Sequence, residues 1–275
     1  MTALVVAGAT AVAPAGAARA ADSQIQATLR LTSSIPGTPT GAVLNLVRPD
    51  GKDGKPKTEA EGIFQLPAGT VINQQAVPPC MNDDITWQVE AYAACPSSHV
   101  GDGFASLYTG VGAPVDPLGI DEQWYYAPGE IVALYSLHGH PYPVVKIGHV
   151  KIKGASFDAP LDLPPGYPPG TKTAPKATDV TLQPYVGAHG AFITTPPTCP
   201  PDGRWITTVT LHYDDGTTDE VSDATPCSRT SGSGAAASRR ARAAARTGSG
   251  RTRSRTGRRA GRRSRGGGAR RRAGR

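Results

Sequence analysis

Two stretches of this 275-residue chain hold residues suited to catalysis or ligand binding. Asp121-Glu122 stands beside Trp124-Tyr125-Tyr126. Glycoside hydrolysis needs two carboxyl groups facing each other across a sugar, and aromatic faces often line such clefts. Without catalysis, Trp124, Tyr125 and Tyr126 would still offer a stacking platform for carbohydrate. Acids scattered over a solvated surface and aromatics filling a core explain the same residues equally well. His138-Gly139-His140 places two imidazoles at i and i+2, on one face if extended, which can seed a metal site. Such a site needs a third ligand, His149 or an aspartate; otherwise the pair is a polar turn ending at Pro141. Other chemistries lack their parts. Gly103-Phe104-Ala105-Ser106-Leu107 does not complete a nucleophile elbow, and no phosphate-cradling glycine loop is present. No Cys-x-x-Cys occurs, so neither a zinc ribbon nor a thioredoxin-type redox site has its minimum signature. The expectation is a protein without cofactor and without catalytic residues.

The cysteines are more informative. Cys80 and Cys95 are near each other and each adjoins proline, which stiffens the backbone, so they are well placed to close a local loop in an oxidising compartment. Four cysteines make an even set with three pairings open.

Around them runs a pattern: Leu66-Pro67 and Gly69, then Asn73, Ala76, Pro78 and Cys80, then Cys95-Pro96, Ser98, Val100-Gly101 and Gly103. A second block joins Cys199-Pro200-Pro201-Asp202-Gly203-Arg204-Trp205 to Tyr213-Asp214-Asp215-Gly216 and Cys227. Together these blocks resemble a family of secreted actinobacterial proteins. The resemblance implies export and no established activity, so it supplies no catalytic residue. The resemblance and proximity in sequence both favour Cys80 with Cys95 and Cys199 with Cys227. The second bridge would staple a hairpin turned at Asp215-Gly216.

Residues 1–20 are apolar and alanine-rich and end in an Ala-x-Ala pattern, as an export signal peptide does, although an alanine-rich terminus without that role has the same composition. The basic residues expected ahead of such a leader are missing, which suggests a start further upstream. No later segment approaches the roughly 20 apolar residues of a membrane-spanning helix.

Charge divides the chain. Of 29 basic side chains, 17 are arginines between Ser228 and Arg275, a segment with no acid. The remaining 12 face all 22 acids, so residues 1–227 carry a net charge of −10 despite +7 overall. The segment 228–275 holds only Ser, Arg, Thr, Gly and Ala and cannot bury a core, which predicts a disordered basic tail. Its partners would be anionic envelope polymers, or nucleic acid non-specifically, since no aromatics interleave the arginines to stack bases. GC-rich codons read in any frame give the same composition, so a frameshifted gene end is an alternative.

The elements that must position all this read as strands. Period-2 alternation marks residues 24–33 and 42–48, and further strands are expected at 62–66, 84–92, 103–108, 131–137, 144–153, 180–185, 205–213 and 218–221. Asp50-Gly51-Lys52-Asp53-Gly54-Lys55 between them reads as a plain turn, its carboxylates spaced poorly for calcium. The expected fold is an all-β antiparallel sandwich of the jelly-roll or immunoglobulin-like class, or a barrel, occupying residues 22–227 as one domain. The proline-rich run 161–175 is then a crossing between sheets. The functional expectation is an exported, non-enzymatic cell-surface or envelope protein; a carbohydrate-binding module is the alternative and a carboxylate glycosidase the third.

Overall fold

A computed structural model describes residues 25–51, 54–90, 95–140 and 143–228. The expected signal peptide at 1–20 and residues 229–275 of the expected tail lie outside the described residues. In chain order the strands are β1 (Gln26–Leu31), β2 (Pro39–Thr40), β3 (Ala42–Val47), β4 (Glu59–Gln65), β5 (Val71–Ile72), β6 (His99–Tyr108), β7 (Leu118–Ala127) and β8 (Glu130–Leu137). They continue as β9 (Val144–Lys153), β10 (Ser156–Pro160), β11 (Ala174–Leu182), β12 (Val186–Gly187), β13 (Gly190–Ala191), β14 (Ile193–Thr194), β15 (Arg204–Tyr213) and β16 (Thr218–Pro226). Between β5 and β6 lies a helix, α1 (Asp84–Glu90), followed by a 3-10 turn at Pro96–Ser98.

Eleven strands form one antiparallel sheet in the order β1-β3-β11-β6-β7-β8-β9-β10-β4-β15-β16. The fold is the expected all-β antiparallel class, and its facing layers belong to a single nearly closed sheet. The two edge strands meet. Arg30 on β1 donates from Nε and Nη2 to the two carboxylate oxygens of Asp223 on β16, at 2.7 and 3.0 Å. Leu31 N donates to Thr225 Oγ1 at 3.0 Å, and Thr207 Oγ1 on β15 donates to Leu29 O at 2.5 Å. Side chains thus cover the edge groups that an open sheet would leave unpaired. A small sheet, β2-β14-β5, lies beside the barrel.

Alternation along each strand separates two cores. The inner one gathers Leu29, Leu44, Leu46, Trp124, Tyr126, Ile131, Val150, Phe157, Val180 and Leu211. The outer one lies on β7, β8 and β9 and holds Tyr125, Val132, Leu134 and Ile147 under Trp87 of α1 and Cys80. Trp87 is fully buried, its ring centroid 5.0 Å from that of Tyr125.

Both disulfides have the expected pairing, Cys80–Cys95 and Cys199–Cys227. The first fastens the α1 segment over the outer core, helped by Cys80 N donating to Tyr126 O at 2.9 Å and Ser98 Oγ donating to Pro78 O at 2.6 Å. The motif glycines around it serve close packing: a Cβ on Gly101 would stand 2.4 Å from Thr181 O. The second bridge follows the β15–β16 hairpin, whose turn uses Gly216 at φ 79.

The strand expected at 84–92 is instead α1 over its described part. Asp83 explains the difference: its Oδ1 accepts from Thr86 N at 2.8 Å and its carbonyl from Trp87 N at 3.0 Å, capping a helix start that outweighs the β propensity of Ile85, Thr86 and Val89. Residues 161–173 connect β10 to β11, which are separated by four strands in the sheet order, so the chain crosses one end of the barrel. Pro165 bridges to Lys172 within that crossing.

Candidate functional site

The inner face of the barrel encloses a cavity of about 350 Å³. Its walls are mainly apolar: Leu44, Phe64, Ala105, Ile120, Trp124 and Val180 are among them. Exposed Leu137 and Val145 also line it, placing its mouth at the end crossed by Leu163, Pro164 and Pro165.

Among the described residues five charged side chains line this space: Arg48, Glu59, Glu122, Lys146 and Asp162. Arg48, just past β3, grips Glu59 of β4 with Nε and Nη2, the latter at 2.9 Å from Oε2, and its Nη1 donates to Thr178 Oγ1 at 2.9 Å. Lys146 on β9 pairs with Asp162 of the crossing at 2.7 Å. Glu122 is different. It is 4% exposed, and its Oε2 accepts one bond, from Trp124 Nε1 at 2.9 Å. Oε1 accepts none from the described residues. Burial pushes the Glu122 carboxyl up to about 7, against the opposing effects of the indole bond and the Arg48 charge.

Strand pairing explains how a carboxyl reaches this place. On β7, residues 118, 120, 122, 124 and 126 face inward, so Glu122 interrupts an otherwise apolar row. Its cross-strand partners are Gly103 on β6 and Tyr135 on β8. Gly103 makes room: a Cβ there would stand 3.0 Å from Glu122 Oε2 and 2.9 Å from Asp179 O. Gly148 on β9 does the same for Tyr135, whose ring carbon Cε2 would lie 2.9 Å from an added Cβ. Tyr135 is half-buried because the surface it keeps exposed is cavity wall, and its hydroxyl has no hydrogen-bond partner among the described residues. Burial, and then the Glu122 charge, raise its phenol far above the usual range.

The candidates taken from sequence separate on this frame. Trp124 and Tyr126 point inward and Tyr125 outward onto Trp87, and all three are buried, so they do not make one exposed stacking surface. Trp124 lines the cavity; Tyr126 packs on Phe192, 5.7 Å between centroids. Asp121 and Glu122 lie on opposite faces of β7 and cannot flank one substrate. Asp121 Oδ1 bonds His138 Nδ1 at 2.7 Å and its Oδ2 accepts from Gly139 N at 2.9 Å, and the His138 bond holds its carboxyl below the usual range. His138 is thereby engaged at an exposed turn with His140. His149 lies between Glu130 and Asp84, 3.2 Å from each. Among the described residues no group of three or more His, Cys, Asp or Glu is arranged to hold a metal.

Arg48, Glu59 and Tyr135 were not singled out in the sequence. The available signal was the row Leu118, Ile120, Glu122, Trp124, Tyr126: a carboxyl where the period-2 pattern requires an apolar side chain. No protein-family model matches this chain, and neither a curated protein nor a solved structure matches it significantly.

Proposed function

We propose that this is an exported, non-enzymatic protein of the cell exterior that holds a small, largely apolar molecule inside its barrel. The observation that carries the binding reading is the cavity of about 350 Å³, apolar except for a few convergent polar groups. Ligand sites of this kind range over roughly 300–1,000 Å³. Empty apolar space lowers stability in proportion to its volume, so a barrel with no ligand to hold gains by filling it with larger side chains than Ala105, Gly148 and Ala159. Binding without turnover is supported by Glu59, the other buried carboxyl here, being tied through both oxygens to Arg48. Export is supported by two disulfides that leave no free cysteine, and by the motif resemblance to secreted actinobacterial proteins. Among the described residues no helix is long and apolar enough to cross a membrane.

The test uses N-phenyl-1-naphthylamine, a neutral dye that brightens in apolar surroundings. The protein is expected to bind it with saturation, and Ala105→Phe, which puts a ring into the cavity, to abolish binding while preserving cooperative unfolding. A dye that stays dark with the wild-type protein, or binds Ala105→Phe equally well, contradicts the reading.

A further inference from the structure

Among the described residues, every charge lining the cavity except Glu122 has a direct partner of opposite sign: Arg48 with Glu59, Lys146 with Asp162. Resting on the reading of the barrel as a ligand site, we propose that its ligand is an apolar amine, with the protonated nitrogen seated against Glu122 beside Tyr135 and the hydrocarbon body against the aliphatic and aromatic wall.

The charges choose among head groups. With Glu122 ionised the described lining holds three carboxylates and two cations, so one positive charge is missing from it. A ligand carboxylate would add a fourth negative group beside Glu122 and Glu59, while the guanidinium that lines the cavity, Arg48, is already committed to Glu59 and Thr178. An ammonium supplies the missing charge, and its N–H groups can be accepted by Glu122 Oε1 and by the lone pairs of the Tyr135 hydroxyl. Among the described residues Glu122 shares its strand face with Trp124, adjoins Gly103 on β6 and Tyr135 on β8, and shares the cavity with Lys146 at the rim on β9, Arg48 after β3, Glu59 on β4 and Asp162 in the crossing. Trp124 secures Oε2 alone, leaving Oε1 for the ligand. An alcohol of the same length can occupy the same wall but leaves the charge uncompensated, so the carboxyl must stay protonated.

The site is therefore pH-dependent in a defined direction. An alkylamine remains protonated across neutral pH, whereas Glu122 takes up its proton as pH falls below about 7. Amine affinity should drop on acidification, and alcohol affinity should not.

The experiment is displacement of N-phenyl-1-naphthylamine by decylamine, decanol and decanoate at pH 8.0 and pH 5.5. At pH 8.0 decylamine is expected to displace the dye at concentrations about tenfold lower than decanol, as befits a hydrogen bond to a charged group. That advantage should shrink at pH 5.5, and in Glu122→Gln the amine should hold no advantage over the alcohol at either pH. Equal displacement by the amine and the alcohol, or a preference for decanoate, overturns the amine assignment and leaves the binding site standing. Failure of the dye itself to bind overturns both. The wild-type head-group series decides the question even if the variant is poorly folded.

Discussion

Trp124 Nε1 donates to Glu122 Oε2 at 2.9 Å, two residues apart on one face of β7. The indole pins one oxygen of a buried carboxyl and leaves the other turned to an apolar cavity. This places the one lining charge without a direct partner among the described residues at a fixed point of the wall.

Stability should fall as pH rises through a window set by Glu122. Its carboxyl is raised from 4.5 to about 7 by burial, so between those values the native protein keeps a proton that the unfolded chain has released. Its stabilising contribution is complete below the unfolded value and is lost as pH climbs through the folded one, a change of about 3 kcal/mol in all. Thermal unfolding of the ligand-free protein should show midpoints declining from pH 5 to pH 8, and Glu122→Gln should flatten that decline. Asp121, held low by His138, works in the opposite sense and only at more acid pH.

Arg48→Met should be severely destabilising. Glu59 is fully buried, and removing its guanidinium partner leaves a naked charge at a cost of about 3–5 kcal/mol. Urea unfolding measures this, and Arg48→Met combined with Glu59→Leu should recover most of the loss. A single variant as stable as the wild type would show that the pair is not buried as described.

Gly148→Ala should act on the site more than on the fold. The new Cβ would crowd Tyr135 at 2.9 Å, and the ring has the cavity to swing into. Dye affinity should drop about tenfold, or ~1.4 kcal/mol, with a smaller change in urea midpoint. Gly103→Ala should instead unfold the protein readily, because one of its contacts is the Asp179 carbonyl, at 2.9 Å.

Removing the disulfides should cost comparable amounts at two different places. Their separations are 15 and 28 residues, which the chain-entropy argument converts to about 3 and about 3.6 kcal/mol. Cys80→Ala with Cys95→Ala should also loosen α1, read as faster amide exchange at Trp87; Cys199→Ala with Cys227→Ala should leave that exchange unchanged.

The strands that alternate cleanly, β1, β3 and β15, are legible because one face is core and the other solvent. β7 is harder to read, because Glu122 breaks the apolar row of its first half and its second half is buried on both faces, Tyr125 under α1 and Trp124 in the barrel. The same hidden strand concealed the site. Asp121-Glu122 looks like a carboxyl pair in the sequence, yet the pleat sends the two to opposite faces. Arg48 and Glu59 stand at the two ends of the loop from β3 to β4, on strands that are not neighbours in the sheet, so no strand pattern marks them as a pair. α1 was missed because its single cap, Asp83, outweighs a β-branched composition over barely two turns. The cysteine pairing was legible because both bridges are local.

The most direct test is a carboxyl ¹³C titration of glutamate-labelled protein, alone and with decylamine. Glu122, identified by its loss in Glu122→Gln, should titrate near pH 7 when the barrel is empty and well below that when the amine is bound, since the ammonium favours the ionised form. A midpoint that decylamine leaves unmoved would contradict the assignment of Glu122 as the ligand's counter-charge.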